Sequence, residues 1–508
     1  MKNVLEYLEY SAEHFPDKIA VTDELGSISY GTLISTSKAA GSALLEEGIK
    51  RCSPIPLFME KGINALTAFF GAVYAGGFYV LLNPDLPDVR IKSILEALKP
   101  EIIITDSAHF QRADSISEGL DIRLIDIESL KSHEICFDAL SSIRQEMIDT
   151  DPLYANFTSG STGMPKGVLI SHRSVLDFIP ELVSVSGIND KDILANQAPF
   201  DFDVSVKDIY CSLFASASLI IVPKSLFSRP AELLDLLCEG KVTTMIWAVS
   251  ALCLITAFHG LDYKVPQALK RVMFSGEVMP EKHLKNWMEH LPDTTFINLY
   301  GPTEITCNCT YHIIDPSRDY SGRIPIGKAF NNERVFLLDE AGKVVTSPRR
   351  EGEICVSGTA LAIGYYNNPE QTDRAFCQNS SNPFYYERIY HTGDLGYFNE
   401  CGEYYFTGRK DFQIKHQGHR IELEEIESSI EKTPGVERCC CIYDQGKSRL
   451  YAFFVGQSDV SDVLKCASEM LPSYMVPNKL VRLDSFPLTK NGKIDRKELE
   501  AFASKRKP

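Results

Sequence analysis

The chain has 508 residues, of which 44% are hydrophobic, and a formal net charge of −16 at pH 7. This length is typical of two or three domains with substantial cores. The negative charge argues against nucleic acid as a general partner, because backbone phosphates would be repelled, although it leaves a local basic groove open. The fourteen cysteines are scattered and include no C-x-x-C pair. They indicate thiols in a reducing compartment and favour neither a disulfide framework nor a metal centre built on cysteine.

The N-terminal segment MKNVLEYLEYSAEHFPDKIAV predicts an amphipathic helix, because Val4, Leu5, Leu8 and Ala12 recur at helical spacing. It lacks the uninterrupted apolar core of a signal peptide. No run approaches the roughly eighteen apolar residues that span a bilayer. We therefore expect a cytoplasmic protein without a membrane span. A monomer is favoured, although the sequence does not establish the oligomeric state.

Short apolar strands alternate with helical patterns over most of the chain. The helical pattern is clearest at INALTAFFGAVYAGG, residues 63–77. Alternation of this kind predicts parallel α/β layers. The predicted buried strands are 53–59, 78–82, 101–105, 218–222, 243–249 and 270–275.

After about residue 330 the predicted strands become shorter and the turns polar, as in RVFLLDEAGKVV and GEYYFTGR. This pattern of short strands and polar turns indicates β-hairpins or a small β-barrel-like part. A last α+β unit begins near Asp411 and ends with the lysine-bearing turn NGKID. We therefore predict an α/β protein with a large N-terminal domain, 1–410, and a small C-terminal domain, 411–508.

The stretch TSGSTGMPKGVLISH, Thr158 to His172, is the most unusual loop of the chain. Small residues let backbone N–H groups approach an anion, and hydroxyls with one lysine add donors. A Walker A loop is excluded, because Pro165 precedes Lys166 and Gly167 follows it. A surface linker remains an alternative, although the apolar segments on both sides favour a phosphate-binding loop.

Four further stretches carry chemistry in chain order. NLYGPTE offers Glu304 for Mg²⁺ and Tyr300 for stacking on a base, unless it is only a tight turn. YHTGDLG offers Asp394 for a ribose diol or a turn cap. The other two are GRKDFQIKHQGHRIELEEIE, residues 408–427, and NGKID, which contains Lys493.

Taken together, these stretches resemble the adenylate-forming superfamily of acyl-CoA synthetases, luciferases and peptide-synthetase adenylation domains. Further matches are ISYGTL, YAGGFYVLLNPDLP and GEICVSGTALAIGYYNNPEQT, so the resemblance covers nearly the whole chain. It implies ATP as substrate and Mg²⁺ as cofactor. It also implies that a carboxylate attacks ATP after both negative groups have been neutralised and aligned. His172 and His391 are then structural or positioning residues.

The resemblance implies roles for particular residues. The phosphate loop would be Thr158, Ser159, Gly160, Ser161, Thr162, Gly163 and Lys166. Thr303 would contact the α-phosphate and Glu304 would bind the metal. Lys493 would bridge the substrate carboxylate and the α-phosphate. The nucleoside would be bound by Gly276, Glu277, Asn298, Tyr300, Gly301, Asp394 and Arg409. Asp411 would be the hinge of a mobile C-terminal domain, and Lys415 and Gly418 would line a pantetheine entrance.

APFDFDVSV places Asp203 where amino-acid-activating relatives bind the substrate's α-ammonium. Pairing of Asp203 with Lys207, one helical turn later, is the alternative. The implied side-chain pocket is Val204, Lys207, Trp247, Met273, Ser275, Leu299, Cys307 and Asn308. Trp247 and Met273 would restrict it to a small substrate, and Lys207 would attract a polar or carboxylate side chain unless it is neutralised locally.

Nine residues follow NGKIDRKEL in the sequence, and we expect no carrier domain after it. We therefore expect a free-standing enzyme that acts on a separate phosphopantetheinylated carrier protein, as D-alanine–carrier protein ligases do. QAPFDFDVSVKDIY, SGEVMP and YGPTE resemble that subgroup, although Ser275 stands where it usually has Cys. D-Alanine is a candidate substrate. The alternatives are an acyl- or aryl-CoA ligase and a non-catalytic nucleotide-binding relative.

Overall fold

The structure is a computed structural model that describes residues 1–160, 165–320, 322–489 and 494–505. Ser161, Thr162, Gly163 and Lys493 lie outside the described residues. No described helix is both long enough and apolar enough to cross a bilayer. All fourteen cysteines are described, and none forms a disulfide.

The helices, in chain order, are α1 Leu5–His14, α2 Tyr30–Glu46, α3 Ile63–Tyr74, α4 Asp88–Leu98, α5 Phe110–Ser117, α6 Ile127–Lys131, α7 Phe137–Glu146, α8 His172–Ser186, α9 Val204–Phe214, α10 Pro230–Glu239, α11 Val249–Ala257, α12 Gly260–Tyr263, α13 Glu281–His290, α14 Pro369–Ala375, α15 Leu423–Glu431, α16 Val460–Met470 and α17 Arg496–Lys505. Short 3₁₀ helices cover Lys224–Ser228, Thr303–Ile305 and Ser473–Met475.

The strands, in chain order, are β1 Ile19–Asp23, β2 Gly26–Ser29, β3 Pro54–Phe58, β4 Phe78–Leu82, β5 Ile102–Thr105, β6 Arg123–Asp126, β7 Pro152–Thr158, β8 Lys166–Ser171, β9 Ile193–Asn196, β10 Ser218–Ile221, β11 Thr244–Ala248, β12 Arg271–Ser275, β13 Thr295–Tyr300, β14 Thr310–Ile313, β15 Lys328–Ala329, β16 Glu333–Leu338, β17 Gly352–Gly358, β18 Gly364–Tyr365, β19 Phe376–Gln378, β20 Arg388–Phe398, β21 Tyr404–Arg409, β22 Gln413–His416, β23 His419–Glu422, β24 Val436–Asp444, β25 Arg449–Gly456 and β26 Lys479–Arg482.

Two large mixed sheets form the α/β layers that the sequence predicts. One runs β15-β14-β13-β12-β11-β9-β10-β1-β2 and the other β18-β8-β7-β4-β3-β5-β6. Their central strands are parallel. All five residues of β4 are buried, which explains its continuous apolar run, because parallel strands are covered on both faces. The predicted fold class is therefore confirmed for these layers.

A five-stranded antiparallel sheet follows, with the order β16-β17-β20-β19 and β21 paired with β20. It occupies the region for which short strands with polar turns are predicted. Asp394 and Arg409 are opposite each other in the β20–β21 register. This sheet thus places two predicted site residues, 15 positions apart in the chain, on neighbouring strands.

The described chain divides into two compact units. The first comprises Met1–Asn83, Leu98–Asn156 and Gly167–Lys410, and contains most of the large sheets and the five-stranded sheet. The second comprises Pro84–Ala97, Phe157–Lys166 and Asp411–Pro508. Its C-terminal part has a two-stranded sheet, β22-β23, and a three-stranded sheet, β24-β25-β26. The predicted domain boundary after residue 410 remains a prediction.

Candidate active site

Strands β9, β11, β12 and β13 are parallel neighbours in the nine-stranded sheet. Their carboxyl ends therefore lie along one edge, which is where open α/β sheets bind ligands. Asn196 ends β9, Ser275 ends β12 and Tyr300 ends β13. The first unit thus places two predicted site residues, Ser275 and Tyr300, at one edge of one sheet.

Asp394 is the centre of the predicted ribose site. The Tyr300 hydroxyl donates to Asp394 Oδ2 at 2.6 Å, and Arg409 forms an ion pair with Asp394 Oδ1. Burial and the neighbouring Asp394 charge raise the pKa of Tyr300 well above its usual value, so this hydroxyl stays a donor. A carboxylate has about four lone-pair directions, so Asp394 in this position can still accept from a diol.

Glu304 lies in the 3₁₀ turn Thr303–Ile305 and is fully buried. The Tyr365 hydroxyl donates to Glu304 Oε1 at 2.8 Å. Carboxylate oxygen is the ligand that Mg²⁺ prefers, so Glu304 fits the predicted metal role. Sequence analysis did not identify Tyr365, because no local pattern links two residues 61 positions apart.

The adenine-binding predictions concern the residues around these two. The Asn298 amide donates to the Pro325 carbonyl at 2.8 Å, which fixes its orientation. Gly276 directly follows β12 with φ +96°, a conformation that favours glycine, and Glu277 comes next. Gly301 is packed against backbone, because a Cβ there would lie 2.5 Å from Asn308 Cα. Their roles towards adenine remain predictions.

The predicted amino-acid pocket contains a buried polar group. Lys207 Nζ donates to Ser275 Oγ at 3.0 Å and to Asn308 Oδ1 at 2.8 Å. The Cys307 thiol donates to the Asp203 carbonyl at 3.0 Å. Lys207 is fully buried, and this burial lowers the pKa of its ammonium group. A cation in such a place needs polar partners, and these partners hold it at the sheet edge.

Two of the apolar residues predicted for the pocket belong to one core cluster. Met273 and Leu299 lie in the same core cluster as Cys307. The structure does not bring Trp247 into this group. Trp247 belongs to a second core cluster, where it packs on Phe227 and donates to the Ala195 carbonyl at 2.7 Å.

The strand register explains why Trp247 lies elsewhere. Paired residues share a face, and Trp247 is opposite Phe274, whereas Ala248 is opposite Ser275. Ala248 is therefore the residue of β11 that faces the side of Ser275. The register therefore does not support the expectation that Trp247 restricts the pocket volume. Val204, another predicted pocket residue, is buried at the start of α9.

The described part of the predicted phosphate loop belongs to the second unit. Ser159 Oγ donates to the Arg420 carbonyl at 2.9 Å, and the Gly160 N–H donates to Glu425 Oε2 at 3.2 Å. The Thr158 hydroxyl oxygen is buried without a hydrogen-bond partner among the described residues. Such an atom is costly unless a ligand satisfies it, which fits a phosphate oxygen. Lys166 is buried at the start of β8.

Glu425 is a second residue that sequence analysis missed. Its carboxylate forms an ion pair with Arg90, and the side chains are 2% and 8% exposed, respectively. The acidic run ELEEIE gave no signal for which of its carboxylates would be buried. In the same unit, Asp411 Oδ1 accepts from the Gln413 N–H at 3.2 Å.

The pair of predicted thiol-entrance residues lies on the β22–β23 hairpin. Lys415 is opposite Arg420 in the hairpin register. Gly418 forms the turn with φ +82°, which only glycine adopts easily. Their proposed contact with pantetheine remains a prediction, as does the hinge role of Asp411.

The described residues contain one group able to supply three mixed metal ligands: Glu353, Cys355 and His391. Glu353 already accepts from Lys410 at 2.9 Å, from the Gly393 N–H at 3.1 Å and from His391 at 3.1 Å. These contacts satisfy the carboxylate within the five-stranded sheet. We therefore interpret the group as a structural ion-pair cluster.

Comparison with known proteins gives two family matches. The model of the AMP-binding enzymes matches residues 8–366, and that of the AMP-binding enzyme C-terminal domain matches residues 425–493. Zwittermicin A synthase ZmaJ of Bacillus cereus is 32% identical, over 96% of this chain and 93% of that protein.

One further relative and one solved structure match the chain over almost its whole length. D-Alanine–D-alanyl carrier protein ligase of Bacillus cytotoxicus is 31% identical over 98% of both chains. The structure of the Vibrio cholerae adenylation domain AlmE, in complex with glycyl-adenosine-5′-phosphate, has a TM-score of 0.86 and 21% identity over 99% of this chain and 98% of that one. By contrast, the chain spans between 6% and 45% of the gramicidin, bacitracin and tyrocidine synthases that it matches.

Proposed function

Because this chain belongs to the AMP-binding enzyme family and is an adenylate-forming ligase, we propose that its substrate is an amino acid that it loads onto a carrier protein. The first step joins the amino-acid carboxylate to the α-phosphate of ATP and releases pyrophosphate. In the second step, a phosphopantetheine thiol attacks the aminoacyl-adenylate, which gives a thioester and AMP.

The observation that carries the amino-acid assignment is the charged group at the start of α9. Asp203 and Lys207 are both buried, one helical turn apart, beside the core cluster that contains Met273 and Leu299. A buried carboxylate at this place is a natural partner for a substrate ammonium group. A fatty or aryl acid has no ammonium group for Asp203 to bind.

The chain's own residues then have distinct tasks in the first step. Asp394, held by Tyr300 and Arg409, orients the ribose, and Thr158 with Lys166 binds phosphate. Glu304 would hold Mg²⁺, which neutralises phosphate charge when it is bound. Lys493, outside the described residues, is assigned to the bridge between the substrate carboxylate and the α-phosphate. The positive charges of Lys166 and Lys493 lower the repulsion between the two anions.

For the second step we propose that residues 411–508 move about Asp411 and present the β22–β23 hairpin to the thiol. The relative that is named a D-alanyl carrier protein ligase supports a carrier protein as the acceptor. Lys493→Ala should then damage adenylate formation, whereas Lys415→Ala should chiefly weaken thioester formation. D-Alanine is one of the substrates to be tested, because the name of that relative contains it.

The test is ATP–pyrophosphate exchange with all common amino acids, D-alanine included, and with fatty and aryl acids. We expect exchange with at least one amino acid and none with the simple acids. Exchange with fatty or aryl acids alone would contradict the amino-acid assignment and favour a CoA ligase. Binding of ATP without exchange for any acid would favour a non-catalytic relative.

A further inference from the structure

Lys207 is an unusual residue for the predicted amino-acid pocket. Its side chain is fully buried, and both described hydrogen-bond partners, Ser275 Oγ and Asn308 Oδ1, are neutral. An ammonium group has three N–H donors, so the described partners account for two of them. The remaining donor and the positive charge are what the pocket offers to a ligand.

The acidic groups that face Lys207 are Asp203 and Asp208. Asp208 is fully buried and accepts from the Asn196 amide at 2.9 Å. Burial raises the pKa of Asp208 to about 8, opposed by the hydrogen bond from Asn196 and by the charges of Lys207 and Lys61, so this carboxyl balances Lys207 less fully than an ordinary carboxylate would. Asp203 is therefore the main nearby group that balances the ammonium charge of Lys207.

Substrate binding changes this balance. If Asp203 binds the α-ammonium group, as the proposed function requires, the pocket holds two cations and one anion. The α-carboxylate of the substrate does not correct the excess, because it is directed to the α-phosphate of ATP. A positive charge left unbalanced in a buried site is costly, and a second anion that enters with the substrate removes this cost.

We propose that Lys207 binds a carboxylate in the substrate side chain, so that this enzyme activates an acidic amino acid. This inference rests on the proposed function and specifies the substrate class of the same site. Ser275 and Asn308 fix the ammonium position, while Met273, Leu299 and Cys307 supply the apolar wall along the substrate's methylene groups. It also explains a serine at 275, because the Ser275 hydroxyl oxygen accepts from Lys207.

The experiment compares exchange rates of the purified full chain with aspartate, glutamate, their amides asparagine and glutamine, serine and D-alanine, with both enantiomers of each acid. We expect one acidic amino acid to exceed its own amide by about 100-fold in kcat/KM, because a charge-assisted hydrogen bond is replaced by a neutral contact. Preference for serine, D-alanine or any other neutral amino acid would overturn this inference and leave the proposed function standing. Absence of exchange with every amino acid would overturn the proposed function itself.

Variants test whether Lys207 is the specificity determinant. Lys207→Met should lower kcat/KM for the acidic substrate by roughly 100-fold, mainly through KM, and reduce the preference for acid over amide to about 1. Retention of the wild-type preference in Lys207→Met would overturn the assignment.

Lys61 provides the control, because it is a half-buried lysine whose Nζ is also held by neutral groups, the carbonyls of Gln197 and Asn196. Lys61→Met should keep the acid-over-amide ratio even if its stability falls. Thermal melting with and without the acidic substrate gives a second readout. The substrate should raise the melting temperature of the wild type and of Lys61→Met, but not of Lys207→Met.

Discussion

At the scale of single residues, Glu333 shows how burial controls a charge outside the site. Its Oε1 accepts from the Ala360 N–H at 2.9 Å, and its Oε2 is buried without a partner among the described residues. Burial, opposed by this hydrogen bond and reinforced by the charge of Asp177, raises the pKa of Glu333 to about 8. The folded protein therefore keeps Glu333 protonated at neutral pH, whereas the unfolded chain ionises it.

This difference predicts a pH-dependent stability. Between pH 4.5 and 8 the folded state binds the extra proton, so the contribution of Glu333 to stability falls as the pH rises through that window. Glu333→Gln removes the titrating group. The Glu333→Gln variant should therefore be more stable than the wild type by an amount that increases with pH. The difference in the free energy of unfolding should reach about 3 kcal/mol near pH 8.

Melting temperatures of both proteins at pH 5, 6, 7 and 8 measure this effect. Glu239→Gln, at an exposed position at the end of α10, is the control and should show no pH-dependent difference from wild type. A constant difference for Glu333→Gln over the whole range would contradict the prediction, because amide substitution without titration gives a constant offset.

At the scale of elements, the turn after β13 joins two parts of the candidate site. It leads from Tyr300 to Glu304 and returns at Cys307–Cys309. A Cβ on Gly301 would lie 2.8 Å from the Cys307 carbonyl oxygen and 2.9 Å from the Cys309 nitrogen. These neighbours are backbone atoms, so they have no rotamer with which to avoid the clash.

Gly301→Ala should therefore displace the segment that carries Asn308 and weaken both the metal carboxylate and the Lys207 group. We expect a loss of about 2 kcal/mol in stability and at least roughly 10-fold in exchange rate. Gly446→Ala, where a Cβ would meet only the side chain of Asp444 at 3.4 Å, should be close to wild type in both measurements. Equal behaviour of the two variants would contradict this account.

The sequence predicts elements better than it predicts their faces. Apolar runs locate β4, β5, β11 and β12 within one or two residues. A strand covered on both faces has no polar alternation, so nothing in TTMIWAV shows that Ala248, not Trp247, faces Ser275. Contacts such as Tyr365 with Glu304 depend on how distant strands meet, which a single sequence does not encode locally.

At the scale of the whole molecule, the second unit is assembled from three separate stretches of chain. Arg90 comes from the first, the Gly160 N–H from the second and Glu425 from the third. One buried carboxylate therefore joins all three. Removing one partner of a buried ion pair leaves an uncompensated charge, which typically costs about 3–5 kcal/mol.

Glu425→Gln should thus destabilise this unit, with faster hydrogen exchange in peptides covering 84–97 and 423–431. The double variant Arg90→Met, Glu425→Gln should recover part of the loss, because no charge remains buried. Glu232→Gln, which breaks the exposed pair with Arg229, is the control and should cost less than about 1 kcal/mol. Additive effects of the two changes at Arg90 and Glu425 would contradict a direct coupling.

The pairing of β18 with β8 has a consequence for how the chain is made on the ribosome. Gly364–Tyr365 complete the edge of the seven-stranded sheet beside Leu169 and Val168, almost two hundred residues earlier in the chain. Until Tyr365 has left the exit tunnel, the nascent β8 presents an unpaired strand edge to its surroundings. During synthesis that edge is therefore open to pairing with another chain until residues 364–365 can cover it.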